Sequence, residues 1–258
     1  MAGSPMAAAI VAGDCREAAR LITRIENNEL GDPELLQELC EARTTAPVIG
    51  VTGAPGCGKS TLVDQMVATW RAAGKCVAVL AVDPSSPFTG GAILGDRVRL
   101  QRHASDPHVF IRSMSSRGTL GGLALTTSSV IAVLAAMPWD LIIVETVGVG
   151  QNEIDIVRHA GTVVLVETPA SGDAVQSFKS GIMEIADIFV INKADQEGAD
   201  RRVQFILEAL KNSALNPHRL PAVLKTEALS GAGVPELIAA IEAHVDYSMA
   251  HPKIRKLL

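Results

Sequence analysis

The amino-acid sequence predicts an α/β protein with a mostly parallel sheet and helices on both of its faces. Hydrophobic residues make up 48% of the 258 residues but aromatic residues only 3%. Burial must therefore come from Ala, Val, Ile and Leu, which fill buried parallel strands and the helices packed on them. Apolar runs of strand length alternate with helical patterns, as in parallel sheets whose strands are joined through helices. The runs are Val48–Thr52, Cys76–Val82, Val109–Ser113, Leu141–Glu145, Val163–Glu167, Ile188–Asn192 and Ala222–Thr226.

Helical patterns fill the intervals between these strands and also precede the first of them. Residues 5–44 are predicted to form an N-terminal helical extension, in which Asp32-Pro33 starts an amphipathic helix as an N-cap followed by proline. We expect the extension to cover residues 1–45, one domain to cover 46–250 and a short tail to cover 251–258. The other helices are predicted to begin near Lys59, Gly95, Leu120, Asn152, Val175, Glu197 and Pro235.

Charge and composition exclude several classes of function. The net charge is −5 and the basic residues are scattered, whereas sequence-independent binding along nucleic acid needs a basic face. The N-terminus lacks the basic region of a signal peptide, and no apolar run reaches the roughly 18–20 residues that span a bilayer. The four cysteines have no C-x-x-C spacing, so they are interpreted as reduced thiols of a cytoplasmic protein.

A phosphate-binding loop, or P-loop, is the strongest motif in the sequence. Glycines let such a loop curl until its backbone N–H groups point at a phosphate chain. Lys59 would neutralise the β- and γ-phosphates, the Ser60 hydroxyl would bind Mg²⁺, and Thr61 would extend the set of backbone donors. Cys57 is interpreted as a small residue at a variable position, with a redox switch as the alternative. The motif reads Gly53-Ala54-Pro55-Gly56-Cys57-Gly58-Lys59-Ser60.

A second motif predicts that the bound phosphate chain belongs to a nucleotide whose base is guanine. Asn192-Lys193-Ala194-Asp195 follows an apolar strand, and a carboxylate there accepts hydrogen bonds from N1–H and the exocyclic amine of guanine, a donor pair that adenine lacks. Asp195 is the predicted acceptor, and the stem of Lys193 would cover the base. A further loop, residues 226–231, would offer the Ala228 N–H to the guanine O6.

The strand Leu141–Glu145 and the turn after it resemble the magnesium-side strand and the γ-phosphate-sensing turn of GTPases. Glu145 stands where Asp is usual and is expected to reach the metal through a water molecule. The Gly148 N–H would meet the γ-phosphate, so that the segment after it would rearrange on hydrolysis. Gln151 is the nearest candidate for the group that orients the attacking water.

Three longer segments are more specific than the P-loop. They are Asp83-Pro84-Ser85-Ser86 with Gly90-Gly91-Ala92-Ile93-Leu94-Gly95-Asp96, Glu145-Thr146-Val147-Gly148-Val149-Gly150-Gln151, and Gly181-Ile182-Met183-Glu184-Ile185-Ala186-Asp187. With the P-loop, these segments are similar to the MeaB/ArgK-type P-loop GTPases, which are G-protein chaperones of adenosylcobalamin-dependent acyl-CoA mutases. The resemblance covers roughly residues 8–246 and implies the three-layer P-loop NTPase sandwich.

This resemblance implies roles for residues that the motifs alone do not assign. Asp96 would join Ser60 and Glu145 around Mg²⁺, with Asp83 close by; hard oxygen ligands of this kind suit the ion. Residues 167–181 would relay the nucleotide state to the mutase through their polar positions, which are Asp173, Gln176 and Lys179.

The activity that the resemblance implies is Mg²⁺-dependent hydrolysis of GTP to GDP and phosphate, slow alone and faster with the mutase. It would gate the delivery of intact adenosylcobalamin and exclude damaged cofactor, with no cobalamin bound by this chain itself. A nickel-type metallochaperone GTPase and a kinase of a small substrate are the alternatives, and which acyl-CoA mutase is served stays open.

The sequence departs from the family pattern in three places. The stretch Pro169–Lys179 lacks a glycine and carries Phe178, so its partner contact is expected to differ. Glu227 stands where the family prefers Ser, near the predicted base site. Many members continue past the position of Leu258 with a helical arm that forms a homodimer, so a homodimer is an open expectation here.

Overall fold

The computed structural model describes residues 4–27, 29, 33–83, 100–115, 122–146, 159–170, 186–212 and 220–251. In these ranges the helices are α1 (Pro5–Val11), α2 (Cys15–Glu26), α3 (Pro33–Glu41), α4 (Lys59–Ala72), α5 (Gly122–Ala135), α6 (Ala199–Asn212) and α7 (Val234–Ala250). The strands are β1 (Val48–Gly53), β2 (Val77–Asp83), β3 (Val109–Ser115), β4 (Leu141–Thr146), β5 (Thr162–Glu167), β6 (Ile188–Ile191) and β7 (Ala222–Lys225).

The chain divides into two compact units. Unit 1 comprises Met1–Val48 and Trp70–Val144, and unit 2 comprises Ile49–Thr69 and Glu145–Leu258. None of the helices in the described ranges combines the length and the apolar character that a bilayer span requires.

Unit 1 combines the N-terminal helices with strands in the order β3-β2-β4. Strands β2 and β3 are parallel, with Val77 opposite Val109. Helix α2 begins where the Asp14 carboxylate accepts hydrogen bonds from two backbone N–H groups of the first turn, which stabilises a helix start. Its apolar face is buried against α5 and α1, and Glu26 near its end pairs with Arg112 of β3.

Unit 2 contains four parallel strands in the order β1-β5-β6-β7. The register places Ile49 opposite Thr162, and Ile188 opposite both Val164 and Ala222. Because parallel strands share a direction, their carboxyl ends meet at one edge of the sheet, where ligands bind in open α/β folds. The P-loop, Glu167, Asn192 and Thr226 all lie at this edge.

Both units confirm the predicted α/β class with parallel pairing. Every predicted strand is present within two residues of its expected bounds. The signal is clearest in β1, β4, β5 and β6, whose residues are all buried. The described part of the first 44 residues contains three helices, since α1 ends before a turn at Gly13, where φ is +95°. The helices predicted near Gly95, Asn152 and Val175 lie outside the described residues.

The core of unit 2 generates a prediction for stability. Phe189 of β6 is fully buried against α6, in a cluster with Ile206 and Leu210. We expect Phe189→Ala to lower the free energy of unfolding by about 3–5 kcal/mol, because the change removes buried area and leaves a cavity. Urea denaturation measures the loss. The matched control is Leu220→Ala: half of this side chain is exposed, and a change within about 0.5 kcal/mol is expected. An equal loss in both variants would contradict the prediction.

Candidate functional site

The loop between β1 and α4 is shaped by two glycines that other residues cannot replace. Gly53 has φ +142°, and a Cβ there would lie 2.0 Å from the carbonyl oxygen of Val166. Gly58 has φ +93°, and a Cβ there would lie 2.4 Å from Nδ2 of Asn192. Both positions combine a positive φ with a close backbone or amide neighbour. Only glycine, which has no Cβ, therefore fits at these two places in the strand-to-helix turn.

The middle of this loop, by contrast, faces open space. Ala54, Pro55 and Gly56 are exposed, and a Cβ on Gly56 would meet nothing within 4 Å although φ is +76°. The loop then enters α4 directly at Lys59, so the first N–H groups of that helix point out of its N-terminus. The loop therefore has the exposed backbone and the helix N-terminus that a phosphate chain requires.

Lys59 lies inside the loop rather than in solvent. The residue is 6% exposed, and its Nζ donates hydrogen bonds to the carbonyl oxygens of Gly53 at 2.7 Å and Ala54 at 3.1 Å. A buried ammonium group needs such partners. The loop therefore holds a positive charge in place in a chain whose net charge is −5.

The next residue, Ser60, pairs with the acid at the end of β4. Its Oγ donates a hydrogen bond to Oε1 of Glu145 at 2.6 Å, and both side chains are buried. A hydroxyl and a carboxylate are hard oxygen donors of the kind that Mg²⁺ prefers, so this pair fits the predicted metal. Asp83 ends β2 in unit 1, and Asp96 lies outside the described residues.

Asn192, the first residue of the predicted guanine motif, joins three parts of unit 2. Its Nδ2 donates to the Cys57 carbonyl oxygen at 2.9 Å, and its Oδ1 accepts from the Thr226 hydroxyl at 3.1 Å and from the Ala228 N–H at 3.0 Å. The amide is 1% exposed. The Ala228 N–H, which was predicted to bind the guanine O6, therefore donates to Asn192 in this structure. A guanine O6 would have to share this N–H with the Asn192 amide.

Lys193 and Asp195 follow in a turn that faces solvent. Lys193 is the only non-glycine residue of the described ranges with a positive φ, +57°, and its Nζ donates to the carbonyl oxygen of Gly56 at 2.9 Å. Its stem therefore runs from the guanine motif to the P-loop. Asp195 is exposed, which leaves its carboxylate accessible to a ligand.

The remaining predicted site residues lie outside the described residues. They are Asp96, Gly148, Gln151, Asp173, Gln176 and Lys179.

Sequence reasoning missed one buried ion pair at this edge. Arg202 of α6 binds the Glu167 carboxylate at the end of β5, with Nη2 2.6 Å from Oε2. The available signal was an acid that ends an apolar strand, the same pattern that drew attention to Glu145. The guanidinium partner had no signal, because an arginine on an amphipathic helix is usually solvated.

Cys57 in the loop generates a prediction about thiol chemistry. Burial raises the pKa of the Cys57 thiol above its ordinary value, and the nearby positive charge of Lys59 offsets only part of this effect. The unreactive thiol form therefore persists to higher pH than in a free cysteine. We expect iodoacetamide at neutral pH to alkylate the exposed Cys40 well before Cys57, as followed by peptide mass spectrometry. Denatured protein, in which both thiols react alike, is the control. Faster oxidation of Cys57 than of Cys40 by peroxide would instead support a redox switch.

Comparison with known proteins identifies the family. The family described as methylmalonyl-CoA mutase-associated GTPase MeaB matches residues 18–256. A protein of Pyrococcus abyssi whose name describes it as a GTPase is 51% identical over 238 residues, which are 91% of this chain and 74% of that protein. A fused isobutyryl-CoA mutase of Cupriavidus metallidurans is 40% identical over 195 residues, 74% of this chain and 18% of the mutase.

A solved structure agrees with these sequence matches. The crystal structure described as an LAO/AO transport system kinase has a TM-score of 0.78 and 26% identity, and the match covers 97% of this chain and 77% of that one. The match confirms the predicted α/β fold. A family match over residues 18–256 together with relatives of this identity leads to one conclusion. The chain belongs to the MeaB family of mutase-associated GTPases.

Proposed function

We propose that this protein is a Mg²⁺-dependent GTPase that acts as a chaperone of an adenosylcobalamin-dependent acyl-CoA mutase. It would gate cofactor loading and protect the mutase from damaged cofactor. The observation that carries the proposal is the family match over residues 18–256, supported by a P-loop whose lysine is already held inside the loop. Family membership also favours this activity over the nickel metallochaperone and the small-substrate kinase.

The phosphates would be bound by the backbone N–H groups of residues 54–61, apart from Pro55, which has none, and by the Lys59 ammonium group. The Lys59 ammonium group is held inside the loop, and a preorganised cation avoids reorganisation when charge develops on the transferred phosphoryl group. Ser60 and Glu145 would bind Mg²⁺, with Asp96 and Asp83 as the further acids. When bound, Mg²⁺ would neutralise negative charge on the β- and γ-phosphate oxygens.

The base and the γ-phosphate would be read by separate elements. Asp195 would accept the two guanine donors, the Lys193 stem would cover the base, and Asn192 would hold the loop against the P-loop. The Gly148 N–H would contact the γ-phosphate, and Gln151 is our candidate for orienting the attacking water.

The mutase would be a separate protein partner. One relative is named a fused isobutyryl-CoA mutase, so a segment similar to this chain exists within a mutase polypeptide. We assign partner contact to Asp173, Gln176 and Lys179, and cobalamin to the mutase rather than to this chain. We further propose a cytoplasmic protein with a helical extension (1–45), a GTPase domain (46–250) and a tail (251–258). A homodimer is compatible with this arrangement.

Removal of the Lys59 ammonium group tests the proposed GTP hydrolysis. We expect Lys59→Ala to abolish GTP hydrolysis, because the ammonium group that neutralises the phosphates is lost, with phosphate release as the measurement. The control is Lys211→Ala, which removes an exposed lysine near the end of α6 and should leave the rate unchanged. Undiminished turnover by Lys59→Ala would overturn the assignment.

Addition of an acyl-CoA mutase tests the proposed chaperone role. We expect an adenosylcobalamin-dependent acyl-CoA mutase from the same source to accelerate GTP hydrolysis by about tenfold or more, as partner proteins do for other P-loop GTPases. The chain should also co-purify with that mutase in the presence of a non-hydrolysable GTP analogue. Labelled phosphate that appears on a small acceptor instead of in solution would favour the kinase.

A further inference from the structure

The buried ion pair between Glu167 and Arg202 lies beside the proposed guanine site without contributing to the P-loop. Both Nε and Nη2 of Arg202 are bound to a single carboxylate oxygen, Oε2 of Glu167, at 2.7 and 2.6 Å. The Glu167 side chain is 6% exposed and the Arg202 side chain 9% exposed. The Arg202 guanidinium also lies over the ring of Phe205, 5.3 Å from its centroid, so its plane is held from a second direction.

A buried ion pair contributes little to stability on balance, because desolvation of both charges offsets their attraction. Apolar side chains occupy the equivalent buried positions of β5, from Val163 to Val166. Stability alone therefore does not explain why a carboxylate and a guanidinium occupy this buried place. Two N–H groups of Arg202 on one carboxylate oxygen restrict the relative position of the two side chains.

The pair fixes the position of the loop between β6 and α6, which contains Asp195. The main-chain carbonyl oxygen of Glu167 accepts a hydrogen bond from the Asn192 N–H at 2.8 Å. Its side chain binds Arg202, on the first turns of the helix that the same loop enters. One residue thus holds both ends of the loop between β6 and α6. Gly198, at the end of that loop, would place a Cβ 3.8 Å from Pro169, so the loop also packs on the chain just after Glu167.

Asp195 itself is exposed, and the direction of its carboxylate follows from the backbone of this loop. We propose that Glu167 and Arg202 are positioning residues for guanine recognition, which hold the loop so that Asp195 faces the base. The inference deepens the proposed function and rests on it. Loss of the pair should weaken recognition of the base and spare the binding of phosphates, because the Lys59 ammonium group is held by the carbonyl oxygens of Gly53 and Ala54 and not by the pair.

The test compares GDP and ADP binding by calorimetry in the full chain. The main variant is Glu167→Met/Arg202→Met, which replaces the pair with flexible apolar side chains, a change that buried ion pairs often tolerate. We expect the affinity for GDP to fall by about tenfold or more while the affinity for ADP is unchanged, so that the GDP/ADP ratio falls by the same factor. Arg202→Lys, which keeps the charge but loses the planar donor pair, should give a smaller fall.

Three comparisons separate positioning from simple loss of stability. Asp195→Asn is the reference for lost base recognition. Asp200→Asn changes another residue of α6, breaks its exposed pair with Lys225 of β7 and should keep the wild-type ratio. Thermal unfolding of each variant shows whether it is folded, and partial unfolding lowers both affinities equally, which leaves their ratio unchanged.

The outcomes distinguish this inference from the proposed function. A wild-type chain without preference for GDP overturns the proposed function and, with it, the inference. Selective wild-type binding that is lost in Asp195→Asn but kept by folded Glu167→Met/Arg202→Met and Arg202→Lys proteins overturns the inference alone. A fall in the ratio for the double variant, with Asp200→Asn unchanged, supports it.

Discussion

The buried amide of Asn192 is the contact on which the candidate site depends. Through Nδ2 it holds the P-loop at Cys57, and through Oδ1 it holds the loop after β7 at Thr226 and Ala228. An amide is suited to this place because it donates and accepts at once without a charge to bury. Its position just after β6 lets one side chain reach the loop that follows the adjacent strand β7 and also the loop that follows β1, two strands away. Gly58 completes the arrangement, since any Cβ there would displace the amide.

Charge at the site is arranged locally rather than through the net charge of the chain. The formal charge is −5, yet the lysines at 59 and 193 both direct their ammonium groups to carbonyl oxygens of the P-loop. Such contacts keep the cations near the loop at a small cost in side-chain freedom. Beside them, Ser60 donates to Glu145, so that oxygen donors suited to a divalent cation lie next to a cationic loop. A cationic loop beside two hard oxygen donors is the arrangement that phosphoryl transfer with Mg²⁺ requires.

Much of the fold and part of the site could be predicted because their signals are local. A strand buried on both faces consists of a continuous apolar run, so β4 and β5 are visible in the sequence without any knowledge of their neighbours. The P-loop is equally visible, since its glycines and its lysine lie within eight consecutive residues, Gly53 to Ser60. Two features had weaker signals. The turn at Gly13, which separates α1 from α2, was not expected, and the Ala228 N–H has an acceptor within the protein that no local pattern indicates.

The sequence by itself determined the parallel α/β class and the family, and it predicted the phosphate loop and the guanine motif, because each depends on residue types at short, regular spacings. Only the tertiary structure decided which of these segments meet. It brought Asn192 to Cys57 across 135 residues of chain and Ser60 to Glu145 across 85, and it buried Arg202 on Glu167. The physical reason is that these contacts depend on strand order and register, which place distant carboxyl ends side by side. Strand order is a property of the whole packed sheet, and no single segment encodes it.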